Sequence, residues 1–144
     1  MKYIVKFIKL PLQLKLIYIE AFFILGLTRF LIWKFKFKRI AGFIGKVNNE
    51  TELTDTKMDL KKVKLISYAV RTMSKYTLWK SNCLTQAFTA KIMLDRRKLK
   101  STVYLGVAKD GDNQMIAHAW LRCGKIYVTG GDGSKYYTVT GKFS

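Results

Sequence analysis

Ser81-Asn-Cys-Leu-Thr-Gln-Ala-Phe-Thr-Ala-Lys-Ile-Met-Leu-Asp-Arg-Arg-Lys-Leu-Lys-Ser-Thr-Val-Tyr-Leu-Gly-Val107 changes its hydrophobic period partway through, and that change decides the fold. The first half repeats every three to four residues, which predicts a helix from near Asn82 to about Arg97. Its face is Cys83, Ala87, Ala90 and Leu94, flanked by Leu84, Phe88 and Met93. After Lys98 the period becomes two, so Thr102–Val107 reads as a strand. Working outward, Lys109-Asp-Gly-Asp-Asn113 is a turn, Met115–Cys123 a second strand and Gly124 a tight turn. Lys125–Thr129 follows as a third strand, Gly130-Gly-Asp-Gly133 as another turn, and Tyr136–Thr140 as a short fourth strand. On the other side, Val63, Ile66, Val70 and Met73 mark one face of a preceding helix. Helices followed by an antiparallel meander make an α+β domain.

The N-terminal third has a different character. Residues 1–46 hold ten Lys/Arg and a single acid, Glu20. Pro11 suits the first turn of a helix that runs through Leu12, Leu16, Ile19, Phe23, Leu27 and Phe30. This apolar stripe has basic neighbours at Lys34, Lys36, Lys38 and Arg39, and Gly42 and Gly45 are expected to break the pattern. Such a stripe can lie in a membrane interface. It can equally pack on the protein's own core or on a partner, and protein packing is the expectation. Residues 47–60 carry four of the nine acids and read as a connecting loop. The division expected is therefore a basic helical arm, 1–46, and a catalytic body, 47–144.

Composition narrows the function classes. With 144 residues, 49% hydrophobic and 25% charged, the chain is long and apolar enough for one globular core. Twenty-seven Lys+Arg against nine Asp+Glu give +18, which favours anionic partners without choosing among them. Two cysteines are too few for a disulfide framework and suggest free thiols in a reducing compartment. Glu20 interrupts the N-terminal apolar run, so no ordinary membrane span and no signal peptide is expected. The expected location is the cytoplasm, with contact at a membrane surface. No CxxC or similar ligand pair is present, so neither a metal nor a cofactor is expected.

Any chemistry needing an imidazole must use His118, the single histidine. Cys83 follows Ser81-Asn82, both good N-cap residues, and so falls in the first turn of its helix. There the helix dipole favours a thiolate, and unpaired N–H groups can stabilise an oxyanion. His118 lies mid-strand with Ile116, Trp120 and Arg122 on its face of the pleat, while Met115, Ala117, Ala119, Leu121 and Cys123 point the other way. That alternation argues against a Cys83–Cys123 disulfide and against a metal site combining His118 with both cysteines. A nucleophile at a helix start and a base on a strand suit acyl transfer through a thioester. The base then needs an orienting group. Asp132 is the first choice, with Asp110 and Asp112 as alternatives that spacing does not exclude.

The run Trp79-Lys-Ser-Asn-Cys83-Leu-Thr-Gln-Ala87, then Leu94-Asp-Arg-Arg97, Leu105-Gly-Val107, Ala117-His-Ala-Trp120-Leu-Arg-Cys-Gly124, Val128-Thr-Gly-Gly131 and Tyr137-Thr-Val139 resembles lasso-peptide leader peptidases. These are transglutaminase-like cysteine proteases, and the chain resembles their stand-alone form. Leu10-Pro-Leu12, Glu20-Ala21, Arg29 and Arg39-Ile-Ala extend the likeness into the arm. The resemblance implies a papain/transglutaminase-like fold with Cys83 as nucleophile, His118 as base and Asp132 as the third member. It implies removal of the leader from a lasso precursor peptide. The partners it implies are a separate leader-binding (recognition element) protein and a macrolactam-forming lasso cyclase. The competing reading is a non-enzymatic basic protein whose arm binds a membrane surface or nucleic acid. It explains the charge but not the placement of Cys83 and His118, and no nucleic-acid partner is expected.

Overall fold

Asn82 starts the helix around which the molecule is organised. Its backbone is extended (φ −69°, ψ 177°), and its side-chain oxygen accepts from the N–H of Thr85 at 3.0 Å and from the Thr85 hydroxyl at 2.9 Å. That is the N-cap geometry, which satisfies one of the donors a helix start leaves unpaired. The structure is a computed structural model and describes residues 7–53 and 59–144. Among these described residues, four helices of eight residues or more come first: α1 (Leu12–Lys34), α2 (Phe37–Ile44), α3 (Leu60–Met73) and α4 (Cys83–Asp95). Four strands follow: β1 (Thr102–Lys109), β2 (Met115–Cys123), β3 (Ile126–Thr129) and β4 (Thr138–Phe143), with a 3-10 turn at Ser134–Tyr136 before the last.

Helix α4 is apolar on nearly every side because it is covered on nearly every side. Ala87, Phe88, Ala90, Met93 and Leu94 are buried, with α1 and α3 on one flank and β2, β3 and β1 on the other. Phe88 is fully buried, and its truncation to alanine costs about 3–5 kcal/mol by analogy with other cores. Val63, Ile66 and Val70 of α3 close the same core, as their spacing predicts; Ala69 joins them, and Met73 of the expected face is only partly buried. From the sheet come Val103, Ala119, Leu121, Cys123 and Val128.

The sheet is antiparallel in the order β3-β2-β1-β4. The expected meander therefore holds only for its first three strands. β3 is short, and the carbonyl of Val128 is already taken by the Ser67 hydroxyl of α3. The chain instead turns through Ser134–Tyr136 and returns to the far side of β1. Strand β4 begins two residues later than expected, at Thr138, and ends at Phe143.

The N-terminal helices share this core. Ala21, Leu25 and Thr28 of α1 and Ile40, Ala41 and Ile44 of α2 are buried. Arg97 forks onto Glu20 at 3.1 and 2.6 Å and also donates to the Met93 carbonyl, so the end of α4 is clamped to α1. A bidentate guanidinium–carboxylate pair fixes orientation as well as distance. Lys46 and Asn48 pair with the last residues of the sheet through the carbonyls of Ser144 and Lys142, both at 2.8 Å. Gly42 lies inside α2, where no helix was expected, and the helix stops only at Gly45. Of the expected connection 47–60, residues 54–58 lie outside the described residues; 49–52 cross the outer face of the sheet.

That outer face is polar and tied down. Tyr104 stacks on Trp120 (5.5 Å between centroids), and Arg122, buried, donates to the Tyr104 hydroxyl at 2.8 Å. Arg122 also donates to the carbonyls of Thr51 (2.7 Å) and Gly124 (2.6 Å). Glu50 accepts from the Tyr104 hydroxyl and from Lys142. The pleat alternation expected for β2 thus holds: Ala119, Leu121 and Cys123 face the helices, while Trp120 and Arg122 face this network.

Candidate active site

Cys83 is the first helical residue of α4, half-buried against the core. The cap is spent on Thr85, so the N–H groups of Cys83 and Leu84 have no acceptor within the helix. The positive end of the helix dipole lies at the same place. The loop that delivers Cys83 is held from several sides. The hydroxyls of Thr77 and Ser81 lie 2.8 Å apart, and Gln86 reaches back from α4 to the Ser81 carbonyl at 2.9 Å. Trp79 lies against Phe22 of α1, 5.3 Å between centroids. A Cβ on Gly26 of α1 would stand only 3.1 Å from the Trp79 indole, so a glycine there lets helix and loop meet. Helix α1 is therefore part of what positions the thiol.

His118 sits where β2 emerges from the core. Residues 115–117 are exposed, His118 is half-buried, and everything from Ala119 to Cys123 is buried. Its ring is bracketed by Trp120 (5.8 Å, 25°) and Tyr137 (5.0 Å, 34°). Nε2 lies 2.7 Å from the carbonyl oxygen of Gly130. A carbonyl oxygen only accepts, so Nε2 carries the proton and the neutral ring keeps its lone pair on Nδ1. Gly130 has φ +64°, and a Cβ there would lie 2.5 Å from the Ala119 carbonyl oxygen and 3.2 Å from Nε2 of His118. Only glycine adopts that geometry without strain. Opposite His118 in the ladder is Gly106, where a side chain would strike the Trp120 ring and Tyr137.

Asp132 lies two residues beyond Gly130, exposed in the same turn. Asp110 is exposed and occupied in the β1–β2 turn, where its carboxylate accepts from the N–H groups of Asp112 (3.0 Å) and Gln114 (2.8 Å). Asp112 is exposed on that same turn. Among the described residues, no hydrogen bond joins His118 to any of these carboxylates or to Cys83. The ring's own partner is the Gly130 carbonyl. His118 leaves β2 on the pleat face of Trp120, whereas Cys83 packs with the helices, and the two elements are adjacent through the contact of α4 with β2. Cys123 is buried, its thiol 3.2 Å from the Lys100 carbonyl. Among the described residues, neither cysteine is in a disulfide.

The Gly130 carbonyl was not foreseen from the sequence, because a backbone acceptor has no residue type of its own. The paired glycines 130 and 131 were the visible trace. Chemically, the parts are a thiol at a helix N-terminus, unpaired N–H groups beside it, and an imidazole of defined tautomer on the adjoining strand. The family model described as the transglutaminase-like superfamily matches residues 27–142, from within α1 through most of β4. No curated protein and no solved structure matches the chain.

Proposed function

Since the chain belongs to the transglutaminase-like superfamily, we propose that it is a cysteine peptidase that cuts a lasso-peptide precursor between leader and core. The observation that carries this reading is the 2.7 Å contact of His118 Nε2 with the Gly130 carbonyl, which leaves Nδ1 as the ring nitrogen available to take a proton. Nδ1 accepts the Cys83 proton, and the thiolate attacks the carbonyl at the leader–core junction. A carbon–sulfur bond forms, and the N–H groups of Cys83 and Leu84 stabilise the oxyanion. The imidazolium then protonates the departing amine as the carbon–nitrogen bond breaks. Water, deprotonated by Nδ1, releases the leader and restores the thiol. Proton transfer between Cys83 and His118 requires the two side chains to meet around the exposed end of β2, because His118 leaves the sheet on the Trp120 face while Cys83 packs against the core. Asp132 serves as the acidic member, acting on the imidazolium from the Gly130 turn.

The finer assignment to lasso precursors rests on the order and spacing of the short motifs from Leu10 to Val139; one from the arm, Glu20-Ala21, and one from the body, Leu94–Arg97, meet in the Glu20–Arg97 clamp. The partners in this reading are a separate leader-binding protein and a macrolactam-forming cyclase. The test is cleavage of a matched precursor in the presence of its leader-binding protein, with products read by mass spectrometry. Cys83→Ala abolishes cleavage and Cys123→Ala keeps most of it. Equal loss in the two variants contradicts the assignment.

A further inference from the structure

Helix α1 buries one face and leaves another, equally apolar, in solvent. Ala21, Leu25 and Thr28 are covered by α3 and α4. Leu12, Leu16, Ile19, Phe23, Leu27 and Phe30, the stripe legible in the sequence, are all exposed, Leu12 by 70% and Phe23 by 69%. The stripe is thus not the face that packs on the protein's own core. It runs 19 residues, whose 18 steps of 1.5 Å span about 27 Å. Soluble monomers rarely expose so long a continuous apolar strip, and one rimmed by charge marks an interaction surface.

We propose that this stripe seats the protein on an anionic lipid surface. Charge selects the occupant. The single acid in α1 and α2, Glu20, is held by Arg97 at 2.6 Å and Arg96 at 3.4 Å. The exposed side chains of Lys9, Lys34, Lys36, Lys38 and Arg39 lie at the two ends of the stripe. A second copy of the chain would bring like charges together, at +18 per copy. Acidic headgroups complement them, and each such cation adds to binding at an anionic bilayer. Trp33, 74% exposed near Lys34, suits the headgroup level. Helix α1 has the length and mean hydropathy (1.8) of a span. Its inner side is bound to the body through the Glu20 clamp and a Thr89–Thr28 hydroxyl contact at 3.2 Å, however, so the helix lies along the surface. The stripe takes no part in the catalytic reading, and either can fail without the other.

The experiment is co-sedimentation of the full chain with vesicles of phosphatidylcholine containing one-third phosphatidylglycerol, and with vesicles of phosphatidylcholine alone. The chain binds the anionic vesicles about tenfold or more tightly than the neutral ones, and salt weakens it as the Debye length falls from about 10 Å at 0.1 M. Phe23→Ser combined with Leu27→Ser lowers binding about tenfold or more while leaving the circular dichroism and melting of the chain intact, because both positions are exposed. Lys34→Glu with Lys36→Glu, which leaves the stripe in place, lowers it similarly. Any of four results overturns the proposal: no sedimentation with anionic vesicles, equal affinity for neutral ones, binding unchanged in both variants, or retention on membranes after an alkaline carbonate wash. A stripe-dependent dimer that ignores vesicles assigns the face to a second copy instead.

Discussion

The Nε2 atom of His118 lies 2.7 Å from the carbonyl oxygen of Gly130. In the Cys–His–acid arrangement a side chain is expected to orient the imidazole; here a backbone group makes that contact. The carbonyl sits on a residue whose φ of +64° and crowded Cβ direction admit only glycine without strain.

Gly130→Ala therefore strikes the base without touching its side chain. The added methyl lies 2.5 Å from the Ala119 carbonyl oxygen, so the turn must move and the carbonyl with it. The expected outcome is a loss of about 1–3 kcal/mol of stability, together with a fall in kcat about tenfold or more. Circular dichroism melts and precursor-cleavage kinetics measure the two effects. A variant that is destabilised yet retains full kcat would remove Gly130 from the positioning of His118.

Asp132→Asn separates charge from orientation. The backbone carbonyl already holds the tautomer, so the carboxylate's contribution is to the imidazolium formed during turnover. Asp132→Asn should lower kcat while Asp110→Asn and Asp112→Asn leave it within about twofold, since an amide oxygen still accepts the turn hydrogen bonds made by Asp110. Unchanged kcat in Asp132→Asn leaves the Gly130 carbonyl as the sole orienting group.

Glu50 links the Asn49–Glu52 crossing to the sheet, and its acidity records that link. Hydrogen bonds from Lys142 and then Tyr104 hold its carboxyl below the usual range, outweighing partial desolvation. A carboxylate whose folded pKa is depressed contributes stability above its unfolded value, about 4.3 for Glu, and loses it as pH falls through the folded pKa. The stability gap between the native chain and Glu50→Gln, from urea melts, should be widest above about pH 5 and should close on acidification. A gap independent of pH over that range would mean that the carboxylate's charge does not matter there.

These outcomes bear on how far the residues alone could be read. Cys83 was legible because Ser81-Asn82 announces a helix start, and β2 because its alternation runs unbroken from Met115 to Cys123. Three features were not legible. Helix α1 is apolar on both sides, so periodicity could not say which side packs; the conspicuous stripe is the exposed one, and Ala21, Leu25 and Thr28 pack in its place. The pairing of β4 with β1 joins parts of the chain about 35 residues apart, which local periodicity does not report. The partner of His118 is a carbonyl, invisible to any search for carboxylates.

The account stands on a thioester at Cys83, and intact-protein mass spectrometry tests that most directly. The chain is mixed with its precursor and leader-binding protein, quenched in acid within the first turnovers, and weighed. The expected result is a fraction of the chain heavier by the leader acyl group. That mass should map by digestion to the peptide holding Cys83 and be absent in Cys83→Ala. Cleaved precursor with the mass on Cys123, or with cleavage persisting in Cys83→Ala, would contradict it.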